Sequence, residues 1–148
     1  MRYIIDTANR EQIDEVLEMG IDGVTANPTM YYTNQEAFYP FIEHYAKKNL
    51  SFLSAEVMGN SVTEMLEQAK KIHAIHSDIV IKINFSKEGL KVCSLLHKQG
   101  YRCAMTLLFT LLKCAQPYKP VRITSFRLSD VTMRLALMDC PLLKMFNT

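Results

Sequence analysis

Within the run Ile79, Val80, Ile81, Lys82, Ile83 a single primary amine interrupts a series of β-branched apolar residues. An amine turned into an apolar interior loses proton affinity, because burial disfavours its charged form, and the neutral amine attacks carbonyl carbon to give a Schiff base. The same lysine at the solvent-facing end of an edge strand is an ordinary surface charge, and the run by itself leaves both readings open. Other polar side chains recur within or at the end of short apolar runs: Asp6 after Ile4 and Ile5, Thr25 after Val24, Glu56 after Phe52 and Leu53, and Thr106 before Leu107 and Leu108. Each has a plain structural account: Asp6 or Asn27 as a turn or helix cap, Glu56 as a solvated strand end, Thr106 as a β-former. Their joint occurrence at one end of successive strands points instead to groups that converge on one mouth.

The elements that must position these groups follow from spacing. Residues 3–5 read as a short strand, and Asp6, Thr7, Ala8 and Asn9 supply cap residues before Ile13, Val16 and Leu17 at helical spacing, with Gly20 as a stop. Residues 23–25 end at Asn27-Pro28, which breaks the chain into a polar loop. Thr33 and Glu36 have the spacing of a capping box ahead of Phe38, Phe41, Ile42 and Tyr45, and Pro40 is compatible with that helix only in its first turn or at a kink. Residues 52–57 read as a third strand. Ser61 and Glu64 then cap the clearest helix, with Val62, Met65, Leu66, Ala69, Ile72 and Ile75 on one face. After the Lys82 strand, Ser86 caps a helix carrying Leu90, Cys93 and Leu96 that closes at Gly100, and residues 103–109 form a fifth strand.

Five strands alternating with four helices across short loops imply a parallel α/β architecture with right-handed crossovers. Neither a GxGxxG nor a GxxxxGK[ST] fingerprint follows a strand, which removes support for a nucleotide-binding open sheet and favours a (β/α)8 barrel. A complete barrel of that kind takes on the order of 200 residues or more. The expectation is therefore an incomplete TIM barrel holding the first five strands.

Composition narrows the function. The 148 residues are 49% hydrophobic and 22% charged, with a net charge of +2, an ordinary globular balance. Lysine and arginine do not run beyond pairs, so neither a nucleic-acid footprint nor a polybasic membrane patch is indicated. No apolar run reaches membrane-spanning length, and the N-terminus lacks the pattern of a signal peptide. The four cysteines, Cys93, Cys103, Cys114 and Cys140, show no CxxC spacing, so reduced thiols and a cytoplasmic location are expected. His73 and His76 are three apart on a helix but lack a third ligand, and no metal site is expected.

In these pieces the chain resembles the transaldolase family, in particular its small, fructose-6-phosphate aldolase-like branch, over residues 1 to about 110. The resemblance rests on Ile5-Asp6-Thr7, Val24-Thr25-Ala26-Asn27-Pro28, Ala55-Glu56-Val57, Ile81-Lys82-Ile83 with Glu88-Gly89, and Thr106-Leu107-Leu108-Phe109-Thr110, in this order and spacing. It implies that Lys82 forms the Schiff base with fructose 6-phosphate or a dihydroxyacetone-type keto sugar. Asp6 then holds a donor-end hydroxyl or assists proton transfer, Asn27 and Thr25 contact the substrate, and Glu56 with Thr106 positions the water of carbinolamine chemistry. No cofactor is implied, and a sugar or sugar phosphate is the expected partner, with homo-oligomers usual for full-length members. Asn84-Phe85 departs from the proline-containing continuation more usual after the lysine. Two other functions stay open: a transaldolase that passes a three-carbon unit to an aldose, towards which Glu56 leans, and a non-catalytic remnant.

After Thr110 the resemblance stops, and residues 111–148 form a second segment. Pro117 and Pro120 interrupt any helix there, residues 121–126 suit a strand, and residues 131–143 suit a short amphipathic helix. Re-reading the codons one base earlier allows residues 116–124 to become Ala-Ala-Val-Gln-Ala-Gly-Ala-Asp-Tyr, and Met138 followed by Asp139 must then give glycine. The expectation is a frame-shifted tail and a chain that is truncated and catalytically inactive as it stands.

Overall fold

The structure, a computed structural model, describes residues 3–106 together with the backbone of two short strands near the C-terminus. Expectations for the remaining residues, including Cys114, Cys140 and the end of the fifth strand, lie outside the described residues. The elements run β1 (Ile4–Asp6), α1 (Arg10–Glu18), β2 (Gly23–Thr25), α2 (Pro28–Thr33), α3 (Phe38–Ala46), β3 (Phe52–Glu56), α4 (Val62–Ile75), β4 (Val80–Asn84), α5 (Lys87–Lys98), β5 (Cys103–Thr106), β6 (Ser125–Arg127) and β7 (Arg134–Ala136). Strands β1 to β5 form one sheet in sequence order, every neighbouring pair parallel. Sequential parallel strands joined by helices are the repeating unit of a (β/α)8 barrel, and five such strands give part of one. β6 and β7 pair antiparallel with each other. Residues 134–136 are thus extended where the sequence suggested a helix: ladder bonds to β6 outweigh a weak local preference.

Alternation along the strands sorts side chains to two faces. Val24, Leu53, Ala55, Ile81, Ile83, Cys103 and Met105 pack with Ile13, Phe41, Ile42, Tyr45, Ile72, Val92 and Leu96 of the helices in the main core. Their neighbours face the other way, where Phe52, Val80 and Ala104 form a separate cluster with Ile4. The Lys82 strand is therefore buried on both faces, as its sequence suggests: Ile81 and Ile83 lie in the main core, and Val80 shares the other face with Lys82.

Helix ends explain several turns. Asn9, Asn27, Ser61 and Ser86 each accept a hydrogen bond from a backbone N–H in the first turn of α1, α2, α4 and α5, satisfying donors that the helix cannot. Gly20 and Gly100 follow α1 and α5 at φ +88° and +83°, a region that glycine enters without a Cβ penalty. Gly89 serves a different need. A Cβ there would collide with the Asn84 carbonyl oxygen, so only glycine lets the first turn of α5 sit against the end of β4.

Two local expectations fail. The segment after Asn27 is a short helix, α2, because Asn27 caps it and Pro28 occupies its first position, where the missing N–H costs nothing. The Thr33 and Glu36 capping box does not form. Thr33 ends α2, α3 begins after Ala37 without a side-chain cap, and Glu36 instead takes a two-pronged hydrogen bond from Arg10, 2.7 and 2.8 Å. A long-range guanidinium outcompetes the local backbone for that carboxylate. Pro40 falls in the first turn of α3, where it is tolerated.

Candidate active site

β4 carries Lys82 at its centre, paired in register with Glu56 of β3 on one side and Ala104 of β5 on the other. Alternation puts Lys82 on the face away from the main core, so its stem stays among buried neighbours while its amine meets polar groups. Only 2% of Lys82 is exposed. Its Nζ donates to the Ala26 carbonyl at 3.2 Å and to Thr25 Oγ1 at 3.4 Å, and lies 3.7 Å from Glu56 Oε2, an ion-pair separation rather than a close hydrogen bond. Burial pulls the Lys82 ammonium below the ordinary lysine range, while Glu56 and Asp6 oppose that shift.

The carboxylates respond in kind. Burial raises Glu56 above the usual glutamate range, against the pull of Lys82 and a hydrogen bond from Asn84. Burial also raises Asp6, with Lys82 opposing and Glu56 reinforcing the shift. One oxygen of Asp6, Oδ1, is buried without a hydrogen-bond partner among the described residues. Desolvation thus brings amine and acid affinities toward one another, the condition under which a proton moves between them at little cost.

Thr25 sits at the end of β2 with its hydroxyl 2.6 Å from Ser54 Oγ. Thr106, at the end of β5, donates to Asn84 Oδ1 at 2.9 Å and approaches the Ile83 carbonyl at 3.3 Å. Asn27 has its side-chain oxygen committed to the Met30 N–H at 3.0 Å, so that oxygen serves as the cap of α2. The strand ends therefore bring Lys82, Glu56 and Thr25 into one hydrogen-bonded and ion-paired group, with Asp6 in electrostatic contact and Thr106 bonded to Asn84 on the Lys82 strand. Asn27 stands beside them at the start of α2.

Three further residues belong to this neighbourhood without having been proposed as site residues from the sequence. Ser54, fully buried, fixes the Thr25 hydroxyl; its signal was its place two residues before Glu56 on the same face. Asn84 stands two residues after Lys82, again the same-face spacing. Tyr31, one turn into α2, is 5% exposed. Its ring lies edge-on to Phe38 and Phe41 at 5.2 and 5.1 Å, and its hydroxyl is buried without a partner among the described residues. Burial, then Glu56 and Asp6, push that phenol's proton affinity far up.

The other candidates take structural places. His73 stacks on Tyr101 with ring centroids 3.9 Å apart, and His76 Nδ1 accepts from the Asp78 N–H at 3.2 Å. Among the described residues no three His, Cys, Asp or Glu side chains gather as a metal would require, and no helix is long and apolar enough to cross a membrane. An open groove of about 490 Å³, lined by Glu43, Lys47 and His76 among others, lies where α3 and α4 lead into β3 and β4, at the opposite end of the strands from Glu56.

A buried amine of lowered proton affinity, flanked by two carboxylates and by hydroxyls at successive strand ends, is equipped for nucleophilic attack on a carbonyl with proton transfer close at hand. Comparison with known proteins agrees in kind. The profile of the Transaldolase/Fructose-6-phosphate aldolase family matches residues 3–119. A probable transaldolase of Symbiobacterium thermophilum is 37% identical over 120 residues, covering 78% of this chain and 56% of the relative. One of Clostridium tetani is 40% identical over 111 residues, covering 74% and 52%, and one of Methanococcus vannielii is 36% identical over 111 residues, covering 74% and 52%. The chain spans about half the length of these curated relatives. With the match extending from the first strand past the fifth, the chain belongs to the transaldolase/fructose-6-phosphate aldolase family.

Proposed function

We propose that Lys82 is the Schiff-base lysine of an aldol reaction on a keto sugar, fructose 6-phosphate or a dihydroxyacetone-type compound. The observation that carries this reading is a buried amine 3.7 Å from a buried carboxylate. The ammonium passes a proton to Glu56, and the neutral amine adds to the carbonyl carbon. The nitrogen gives one proton to the carbonyl oxygen, which becomes a hydroxyl, takes the proton back from Glu56 and leaves as water. The protonated imine is an electron sink, so the carbanion left by carbon–carbon cleavage is held as an enamine without a metal. Asp6 holds a donor-end hydroxyl or handles its proton, Thr25 and Asn27 contact the sugar, and Thr106 with Glu56 positions the water that forms and later breaks the imine. A cytoplasmic, oligomeric enzyme with a sugar phosphate as its small-molecule partner fits this chemistry.

A second reading, transfer of the three-carbon unit to an aldose, is favoured by Glu56 and by the names of the relatives. Whether product formation requires an aldose acceptor separates the two. Cleavage or transfer belongs, on either reading, to the full-length fold, whereas imine formation needs only the groups gathered around Lys82. Residues 111–148 are read as a frame-shifted continuation, which the codons of that segment test directly.

The experiment for the imine is reductive trapping. The 148-residue chain, incubated with dihydroxyacetone and cyanoborohydride, gains the mass of the reduced adduct on the peptide containing Lys82. Labelling that persists undiminished in Lys82→Ala removes the assignment. Absence of any adduct on the folded chain favours a non-catalytic remnant.

A further inference from the structure

Two buried polar atoms near Lys82 have no hydrogen-bond partner among the described residues: Asp6 Oδ1 and the Tyr31 hydroxyl. They come from neighbouring parts of the fold. Asp6 ends β1 opposite Thr25 in the β1–β2 register, and the Thr7 N–H donates to the Thr25 carbonyl at 3.0 Å, so the two strand ends stay together. From Thr25 the chain passes through Ala26, whose carbonyl accepts from Lys82 Nζ at 3.2 Å, to Asn27, the cap of α2. Tyr31 lies one turn into that helix. Helical side chains lean toward the N-terminus of their own helix, so the phenol is carried back toward the end of β2. Its ring is held edge-on by Phe38 and Phe41 at 5.2 and 5.1 Å, which leaves the hydroxyl little freedom to seek a partner elsewhere. Glu56 and Asp6 both add to the effect of burial in raising its proton affinity, so the phenol stays protonated within electrostatic reach of both carboxylates.

A buried donor and a buried acceptor each cost free energy unless something pairs with them. We propose that Tyr31 is a specificity-determining residue, its phenol donating to a substrate hydroxyl whose own proton goes to Asp6 Oδ1. The inference rests on the Schiff-base reading above, in which Asp6 holds a donor-end hydroxyl; Tyr31 supplies a second bond to that same oxygen. Chemistry narrows what fits. An ionised carboxylate only accepts, and a protonated phenol has a proton to donate. A group between them must therefore give one proton and take one. An alcohol does both. A methyl group does neither and leaves both atoms unpaired, a carbonyl oxygen has no proton for Asp6, and a phosphate brings negative charge beside two carboxylates. The unphosphorylated hydroxymethyl end of the keto sugar is thus the end that lies between β1 and α2, with any phosphate turned away from them.

Acetone and hydroxyacetone, which differ by one hydroxyl, test it. The rate at which each ketone is reductively trapped on Lys82, well below saturation, is measured in the 148-residue chain and in Tyr31→Phe and Tyr31→Leu, with circular dichroism melts alongside. The parent should favour hydroxyacetone over acetone by about tenfold or more beyond the ratio shown by free Nα-acetyl-lysine, because a site built around a substrate hydroxyl rejects the analogue lacking it. Tyr31→Phe should slow trapping of hydroxyacetone by about tenfold, the scale of one hydrogen bond in a buried site, leave acetone within about twofold, and keep or raise the melting temperature. Hydroxyacetone trapping within about twofold of the parent overturns the inference and leaves the phenol with water alone. So does an equal loss for both ketones, which marks Tyr31 as support for the fold. If neither variant folds, the parent decides: a preference no greater than that of Nα-acetyl-lysine refutes the inference. A parent chain that forms no Lys82 adduct with either ketone overturns the Schiff-base reading itself, and this inference falls with it.

Discussion

Replacing Glu56 by Gln should make Lys82 easier to deprotonate and harder to use. The substitution keeps the shape of the side chain and removes the charge 3.7 Å from Lys82 Nζ. At that separation, and with an effective dielectric of about 20, the pair attracts by roughly 4 kcal/mol. At about 1.4 kcal/mol per factor of ten, this bounds the change in the neutral-to-charged ratio of the amine at about a thousandfold. Asp6 continues to favour the ammonium, and the Ala26 carbonyl and Thr25 hydroxyl continue to accept from it, so the expected change is smaller, about tenfold or more. Competitive acetylation across a pH series, read by peptide mass spectrometry against the exposed Lys70 and Lys71, measures it. Lys82 in Glu56→Gln should react at lower pH than in the parent, yet give less dihydroxyacetone adduct per unit time, because the proton acceptor and donor has gone. Stability must follow the same sign. Lys82 is held below its ordinary value, so its contribution is complete above the unfolded lysine value and is lost as pH falls through the folded one. Glu56→Gln lowers the folded value further and enlarges that loss between alkaline and neutral pH. The two carboxylates run oppositely: both are raised, so their contribution is complete below the unfolded carboxylate value and is lost as pH rises through the folded one. An acetylation profile within twofold of the parent, or one moved to higher pH, would refute the claim that Glu56 is the principal counter-charge.

Lys82→Arg should abolish the borohydride-stabilised adduct, since a guanidinium keeps its proton and is not a nucleophile at neutral pH; an adduct that maps to the same peptide in this variant would sink the assignment. Gly89→Ala should cost about 1–3 kcal/mol in denaturant unfolding, because the new methyl group meets the Asn84 carbonyl; an unchanged midpoint would show that α5 can shift freely. Tyr31→Phe keeps the edge-on packing against Phe38 and Phe41 and removes a buried hydroxyl that has no partner among the described residues. It should therefore be neutral or stabilising by about 1 kcal/mol, and a clear loss of stability would reveal a bonding role for that hydroxyl.

Which features could be read from the sequence follows from the range of the interactions that set them. Lys82 and Glu56 stood out because strand alternation is a local rule: a charge within a β-branched run must either leave the sheet or find a polar layer, and Thr25 and Ser54 supply one. The strand and helix order was legible for the same reason, with caps such as Ser61 and Ser86 a few residues from the N–H groups they satisfy. Glu36 shows the limit. Its spacing from Thr33 satisfies a local motif, yet its actual partner, Arg10, is 26 residues away, and an ion pair made through folding overrides the motif. Asn84 is the stronger case. Its place two residues after Lys82 gives the face it shares but not its partner, the Thr106 hydroxyl, 22 residues away. That contact depends on β4 and β5 lying side by side in one register, a fact of topology rather than of local pattern. The amine can be found by looking along the chain, whereas the direction in which protons are held around it is determined across the strands.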